Sequence, residues 1–306
     1  MGKVAILGIF VADLAFRAPR PPAMGETIIG SDFKMGPGGK GSNQAVAAAR
    51  AGADVTFISR LGRDSFGEIA LATWKAENIN TGKVALSSDL STGAAYIFVQ
   101  EQTGANCIIV VPGAAGAISV ADVENAAAEI RAAKVFVTQL EQPIAAARRG
   151  LELARAAGAM TVFNPAPAAP LPDALYGLCD YITPNETEAS TLTGIEVTNL
   201  DSARAAADQL LQRGVKVALV TLGEAGALYH SAQESVLVPA FSAGKVVETT
   251  GAGDAFNGGF AAALAAGRAP QDAVRFGCAT AGISVTRAGT APSMPKLAEI
   301  EALLAR

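Results

Sequence analysis

The sequence predicts an α/β protein: a doubly wound, mostly parallel sheet flanked by helices, Rossmann-like, carrying a small antiparallel β lid. Three observations predict it. Apolar runs of strand length alternate with Ala-rich helical stretches over most of the 306 residues. The runs are continuous Val, Ile, Leu and Phe, as in strands covered on both faces, rather than the polar–apolar alternation of a half-exposed sheet. Two β-rich segments, Phe16–Met35 and Thr92–Val111, break the alternation because neither has a helix between its strands.

In order, Val4–Gly8 reads as the first strand, ended by Asp13 after a further apolar stretch. Gly41–Ala51 reads as a helix, Val55–Leu61 as a strand and Ser65–Glu77 as a helix. Val135–Leu140, Met160–Asn164, Tyr181–Thr183 and Val217–Leu222 follow as strands. Ile144–Ala157, Glu186–Leu192 and Ser202–Arg213 are the helices among them, and two more follow Gly253 and Pro270. In the lid, the alternating run Glu26–Phe33 is expected to be a strand, with Ala94–Gln100 and Asn106–Val111 joined by the polar turn Glu101–Gly104. Residues 13–35 and 92–111 are therefore assigned to the lid, and 1–12, 36–91 and 112–306 to the core. A small sheet of this kind has a face that a ligand or a second copy must cover.

Composition narrows the function. Lys and Arg total 24 against 28 Asp and Glu, a net charge of −4 with no basic patch, so nucleic acid is not an expected partner. Cys107, Cys179 and Cys278 are far apart, without metal-site spacing, which predicts a reduced, cytoplasmic protein. The apolar N-terminus, interrupted at Asp13, reads as a buried strand rather than a signal peptide, and no run is long enough to span a membrane.

The strongest chemical signal is Thr249-Thr250-Gly251-Ala252-Gly253-Asp254, a Gly-rich turn before the apolar stretch from Phe256. Amides converging at a helix N-terminus make an anion site. A carboxylate beside a bound phosphate is electrostatically unfavourable unless it has a task, and Asp254 is suited to take a proton from an attacking hydroxyl. The plainer alternative is a helix cap after a tight turn. A second cluster, Gly36-Pro37-Gly38-Gly39-Lys40-Gly41-Ser42-Asn43-Gln44, opens another helix. It lacks the P-loop spacing, and its glycines with Asn43 suit close binding of small hydroxyls, or simply a tight turn. Asp13 and Glu141 end strands, where ligands of open α/β sheets bind, and can accept hydrogen bonds from a polyol. Asn185-Glu186-Thr187-Glu188 suits ordering of a hydrated Mg2+ beside phosphates, or an ordinary N-cap with acids in its first turn. The Thr221–Gly226 turn, with Gly223 and Gly226, allows a nucleotide to pass close to the backbone. His230 reads as a surface or packing residue and Cys278 as a small buried one.

Taken in order, these segments resemble the ribokinase family of carbohydrate kinases, the PfkB type, over nearly the whole chain. Gly38–Gln44 matches the family's first signature and Gly251–Asp254 within Thr249–Gly259 its second; Asn185 and Glu188 fit its N-x-x-E motif. Asn164–Ala168 and Thr183–Ala189 narrow the resemblance to the ribose-using branch. The resemblance implies ATP-dependent phosphorylation of a sugar hydroxymethyl group, D-ribose to ribose 5-phosphate, with Mg2+ accompanying ATP. It implies Asp254 as the base and Gly251, Ala252 and Gly253 as the anion hole. Val11, Asp13, Gly39, Lys40, Asn43, Glu141 and Asp254 fall on the sugar site. Asn185, Thr221, Gly223, Gly226, Gly253 and Cys278 fall on nucleotide positions. A monovalent cation, K+, is implied at Glu248, Thr250, Ser284, Arg287, Gly289 and Ser293, several through backbone carbonyls, with Glu188 acting indirectly on Mg2+. The family also implies a homodimer formed through the lids. Three residues depart from the ribose-using pattern: Val11 replaces an asparagine that holds the sugar, Glu248 an aspartate of the cation site, and Cys278 a histidine near the base. Nucleoside phosphorylation, favoured by an apolar Val11, and a non-catalytic sugar-binding regulator are the alternatives. An oxidoreductase is disfavoured because Val4–Asp13 lacks the dinucleotide fingerprint.

Overall fold

A computed structural model describes residues 2–306. Strand β1 (Lys3–Leu7) is an interior strand of the larger sheet, third from one edge. From it the chain enters β2 (Val11–Ala18) and β3 (Asp32–Gly38) of the lid, and returns through the helix Lys40–Arg50 to β4 (Asp54–Gly62). The helix Ser65–Ala76 leads to the edge strand β5 (Asn80–Ser87). The lid is then completed by β6 (Thr92–Gln100) and β7 (Asn106–Gly113). Strands β8 (Val135–Thr138), β9 (Met160–Phe163), β10 (Tyr181–Ile182) and β11 (Val217–Thr221) extend the core sheet. It ends in the hairpin of β12 (Ala227–Ser231) and β13 (Ser235–Val238). The resulting order is β13-β12-β11-β10-β9-β8-β1-β4-β5, parallel from β11 to β5 and antiparallel at the hairpin.

Burial follows the prediction for a sheet covered on both faces. Val4, Ile6, Phe57, Trp74, Phe256 and Phe260 belong to one apolar core, beneath the helices Lys40–Arg50, Ala252–Ala265 and Pro270–Ser284. Leu7, Ile58, Phe136, Leu151, Phe163 and Leu210 belong to the core on the other face, beneath Ile144–Ala156 and Leu200–Gln212. Trp74 meets Phe10 edge-on at 5.8 Å and donates its indole N–H to Ser42 Oγ at 2.9 Å, so the ring is buried without leaving a polar atom unpaired.

The lid has four strands, ordered β3-β2-β6-β7. Both outer pairs are antiparallel and the central β2–β6 pair is parallel. The expected strand at Glu26–Phe33 is corrected to Asp32–Gly38. Residues 26–31 instead belong to a loop closed by Arg20, whose guanidinium holds both Glu26 carboxylate oxygens, one of which also accepts the Ala23 N–H. A proline in β3 is tolerated because β3 is an edge strand. The lid strands also reach beyond the assigned limits of 13 and 35: Val11 pairs with Gly38 and Ala12 with Pro37. Among the described residues no helix is long and apolar enough to cross a membrane.

Candidate active site

Two helices bring the chemical groups together. Gly258 of the helix Ala252–Ala265 lies so close to the helix Lys40–Arg50 that a Cβ there would fall 2.4 Å from Ala47 Cβ and 2.6 Å from the Gln44 carbonyl. That close approach seats Asp254 against Asn43 and Gln44. Asn43 Nδ2 donates to one carboxylate oxygen at 2.9 Å and Gln44 Nε2 to the other at 3.0 Å. Gln44 also donates to Asn164 Oδ1 at 3.1 Å and accepts from Gln139 Nε2 at 2.6 Å. From Asn164 the chain of bonds runs to the Thr183 carbonyl, from the Thr183 hydroxyl to Asn257, and from Asn257 back to the Gly253 carbonyl. Asp254 is thus held in a buried polar network that fixes its rotamer. Gln44, Gln139 and Asn257 carry that network yet were not singled out by sequence reasoning; the signal available was polar residues at the ends of apolar strands and inside an otherwise apolar helix.

Burial raises the Asp254 pKa; the Lys40 charge and the two amide donors pull it back only in part. Burial likewise pushes Asp13 up to about 6, helped by Asp254 and Glu248, and Glu141 up to about 7 despite the opposing Lys40. The Lys40 amide donates to Glu141 Oε2 at 2.8 Å. Burial acts to lower the Lys40 pKa, but Asp254, Glu141 and Glu188 overrule it and hold the ammonium charged. Asn43 Oδ1 is buried without a hydrogen-bond partner in the protein, an open acceptor on the same amide that donates to Asp254. Asp13 does not end the first strand, which stops at Leu7, but lies within the lid strand β2 on the same face as Val11, where Gly38 leaves no room for a Cβ beside the Asp13 carboxylate. Gly39, at φ +87°, turns the chain from β3 into the helix.

Gly251 caps the helix Ala252–Ala265 at φ +83°, a conformation that favours glycine, and Gly253 faces open space. The Ala252 N–H donates back to the Thr249 carbonyl at 3.1 Å, so a phosphate oxygen would compete with that bond. Asn185 and Glu188 form a reciprocal capping box at 2.8 and 2.9 Å. This is the plainer of the two readings, and it leaves the second Glu188 oxygen uncommitted. Thr221 bridges to Asn185, and Gly223 and Gly226 both take positive φ beside them. Cys278 is buried in the helix Pro270–Ser284, its thiol pushed up to about 12 by burial.

The six candidate cation residues cluster in part. Glu248 Oε2 accepts the Gly289 N–H at 2.8 Å, and the buried Ser284 and Ser293 hydroxyls are 2.9 Å apart. Thr250 is exposed on the same loop as Glu248. The Arg287 side chain turns away to pair with Glu299, so any part it plays falls to its backbone carbonyl. A carboxylate, hydroxyls and carbonyls form an oxygen-rich donor set that fits a hard monovalent cation. Of the two roles expected for His230, surface or packing, the structure shows packing: it is 8% exposed between Ser235 and Asp208.

The family model for "pfkB family carbohydrate kinase" matches residues 1–297. A ribokinase of Haemophilus influenzae is 39% identical over 292 residues, 95% of each chain. A deoxyribokinase of Salmonella typhi is 36% identical over 302 residues, 98% of each. The structure of Arabidopsis thaliana ribokinase complexed with ribose and ATP superposes with a TM-score of 0.93 at 30% identity, covering 100% of this chain and 99% of that one.

Proposed function

The chain belongs to the pfkB family of carbohydrate kinases, and from that premise we propose that it transfers the γ-phosphoryl group of ATP to the hydroxymethyl oxygen of D-ribose, giving ribose 5-phosphate and ADP. The observation that carries this reading is the buried Asp254 carboxylate, gripped at both oxygens and standing in the first turn of a helix capped by Gly251. Asp254 takes the proton of the attacking hydroxyl as the oxygen bonds to phosphorus. Amides at the Gly251–Gly253 turn, with the helix dipole behind them, favour the negative charge of the transferred group; donors of this kind are worth ~3 kcal/mol each. Asp13, the unpaired Asn43 Oδ1 and Glu141 accept sugar hydroxyls, and Gly39 lets the backbone approach. Lys40 stands charged between the acceptor carboxylates and Glu188.

Asn185, Thr221, Gly223, Gly226 and Cys278 are assigned to the nucleotide side, and Glu188 to the water shell of Mg2+. Magnesium bound with ATP would supply charge neutralisation at the phosphates. Glu248, Thr250, Ser284, Gly289, Ser293 and the Arg287 carbonyl are assigned to K+. Replacing Asp254 by Asn tests the central assignment. Turnover should fall by roughly 10²–10⁴ with substrate binding nearly intact; a variant retaining more than about a tenth of wild-type turnover would remove Asp254 from the role of base.

A second substrate reading is favoured by Val11. Its side chain is buried at the sugar face and offers no hydrogen bond, which suits a 2-deoxy sugar, as does the similarity to a deoxyribokinase.

The outer face of the lid supports a homodimer. The register places Phe16, Phe33, Met35, Tyr96 and Ile109 on one face, 36% to 64% exposed. A patch of this kind marks an interface, and a second lid has matching chemistry. Sedimentation equilibrium checks it: a monomer at micromolar concentration would overturn the assignment.

A further inference from the structure

We propose that Thr290 is a positioning residue that ties the lid to the phosphate-side turn and so sets how firmly the sugar is held; the proposal rests on the kinase reading above. Thr290 stands where three parts of the molecule meet. Its hydroxyl donates to the Pro37 carbonyl in β3 at 2.9 Å, spanning 253 residues of sequence. Its Cα and Cγ2 lie against Gly251, at 3.3 and 3.4 Å from where a Cβ there would be. Its carbonyl accepts the Ser293 hydroxyl at 2.7 Å.

A tether transmits position only if its anchor is rigid. Arg50 provides that rigidity by donating one guanidinium nitrogen to the carbonyls of Ala291, Pro292 and Met294 at 3.3, 3.1 and 2.7 Å. Glu77 holds the same guanidinium at 2.6 Å. Arg50 ends the helix whose first turns carry Asn43 and Gln44, so the loop is fixed to the element that also grips Asp254. At the other end of the tether, Pro37 is followed by Gly38, which pairs with Val11 and lies against the Asp13 carboxylate. The Thr290 hydroxyl therefore acts one residue from the sugar-facing backbone, and its hydrogen bond goes to Pro37 rather than to Asp254, Asp13 or Glu141.

Thr290→Val keeps the shape and removes the donor. With the tether gone, the unliganded lid should open more often. Amides of residues 33–36, 38 and 39 should exchange deuterium faster than in the wild type, and KM for D-ribose should rise about two- to tenfold. Turnover at saturating D-ribose and MgATP should stay within about twofold, because Asp254 and the Gly251–Gly253 turn are unchanged. Thr290→Ser, which keeps the hydroxyl, should restore both exchange and KM. Should valine destabilise the fold, serine against alanine at the same position decides. Unchanged exchange and KM in Thr290→Val, or equal losses in the serine and alanine variants, would overturn the proposal. The exchange measurement needs no turnover. Wild-type protein inactive with D-ribose and 2-deoxy-D-ribose would therefore sink the kinase reading and leave the tether to be judged by exchange.

Discussion

Gln44 Nε2 lies 3.0 Å from Asp254 Oδ1, across 210 residues of sequence, and the same amide group is tied to Asn164 and Gln139. The amide thus both stabilises the charged carboxylate and fixes its direction. An Asp254 anchored only by Asn43 would keep one oxygen held and leave Oδ1 without a donor in the protein.

Removing this donor should weaken the base in a recognisable way. In Gln44→Met the Asp254 carboxylate loses a hydrogen bond to its charged form, so its pKa rises further. The acid limb of the pH–rate profile then moves to higher pH. A hydrogen bond to a charged group contributes about 1.5–3 kcal/mol, so kcat/KM near neutrality should drop by about ten- to hundredfold. An acid limb that stays in place would show that Gln44 does not tune Asp254.

The unliganded protein should be more stable in mild acid than at pH 8. Glu141 titrates at about 7 in the fold against 4.5 for the free side chain, and Asp13 at about 6 against 3.8. Between those limits the folded state binds protons that the unfolded state has released, so stability falls as pH rises through the interval. Thermal unfolding from pH 5 to 8 should show this decline, and Glu141→Gln should flatten its upper part. A Glu141→Gln slope equal to the wild type would mean that Glu141 is already ionised in the fold.

K+ should activate the enzyme at fixed ionic strength, and Glu248→Gln should blunt the response. The motivation is the Glu248 carboxylate bonded to Gly289 beside the Ser284–Ser293 pair. Initial rates from K+-free buffer upward give the answer. A flat wild-type response would show that the longer glutamate, already holding the Gly289 amide, serves the loop without a cation.

Val11→Asn should lower KM for D-ribose with little change in kcat, since the added contact acts alike in ground and transition states. A hydroxyl left unpaired costs about 1–3 kcal/mol, equivalent to roughly five- to 150-fold in affinity. For 2-deoxy-D-ribose the substitution should bring no such gain. A low micromolar wild-type KM for ribose, unimproved by asparagine, would show that another group already pairs that hydroxyl.

The sequence by itself determined the doubly wound sheet, because continuous apolar runs such as Val135–Thr138 and Val217–Thr221 have no other stable place than between two helical layers. It also marked the two glycine-rich helix starts, since local backbone geometry writes them into consecutive residues. Edge elements were less legible. Strand β5, Asn80–Ser87, is half exposed and mixes polar with apolar residues, and the short helices Val120–Asn125 and Ala127–Ala132 have too few turns for a clear period. Strand β3 was misplaced because its Gly-Pro-Gly end reads as a loop until the β2 neighbour that pairs with it is known. Only the tertiary structure decided that Gln44, Gln139, Asn164 and Thr183 form one network around Asp254, and that Thr290 reaches Pro37. Hydrogen bonds over 19 to 253 residues leave no local pattern. They exist because the packing of two helices through Gly258 and the side-by-side pairing of β8, β9 and β10 bring those side chains within reach.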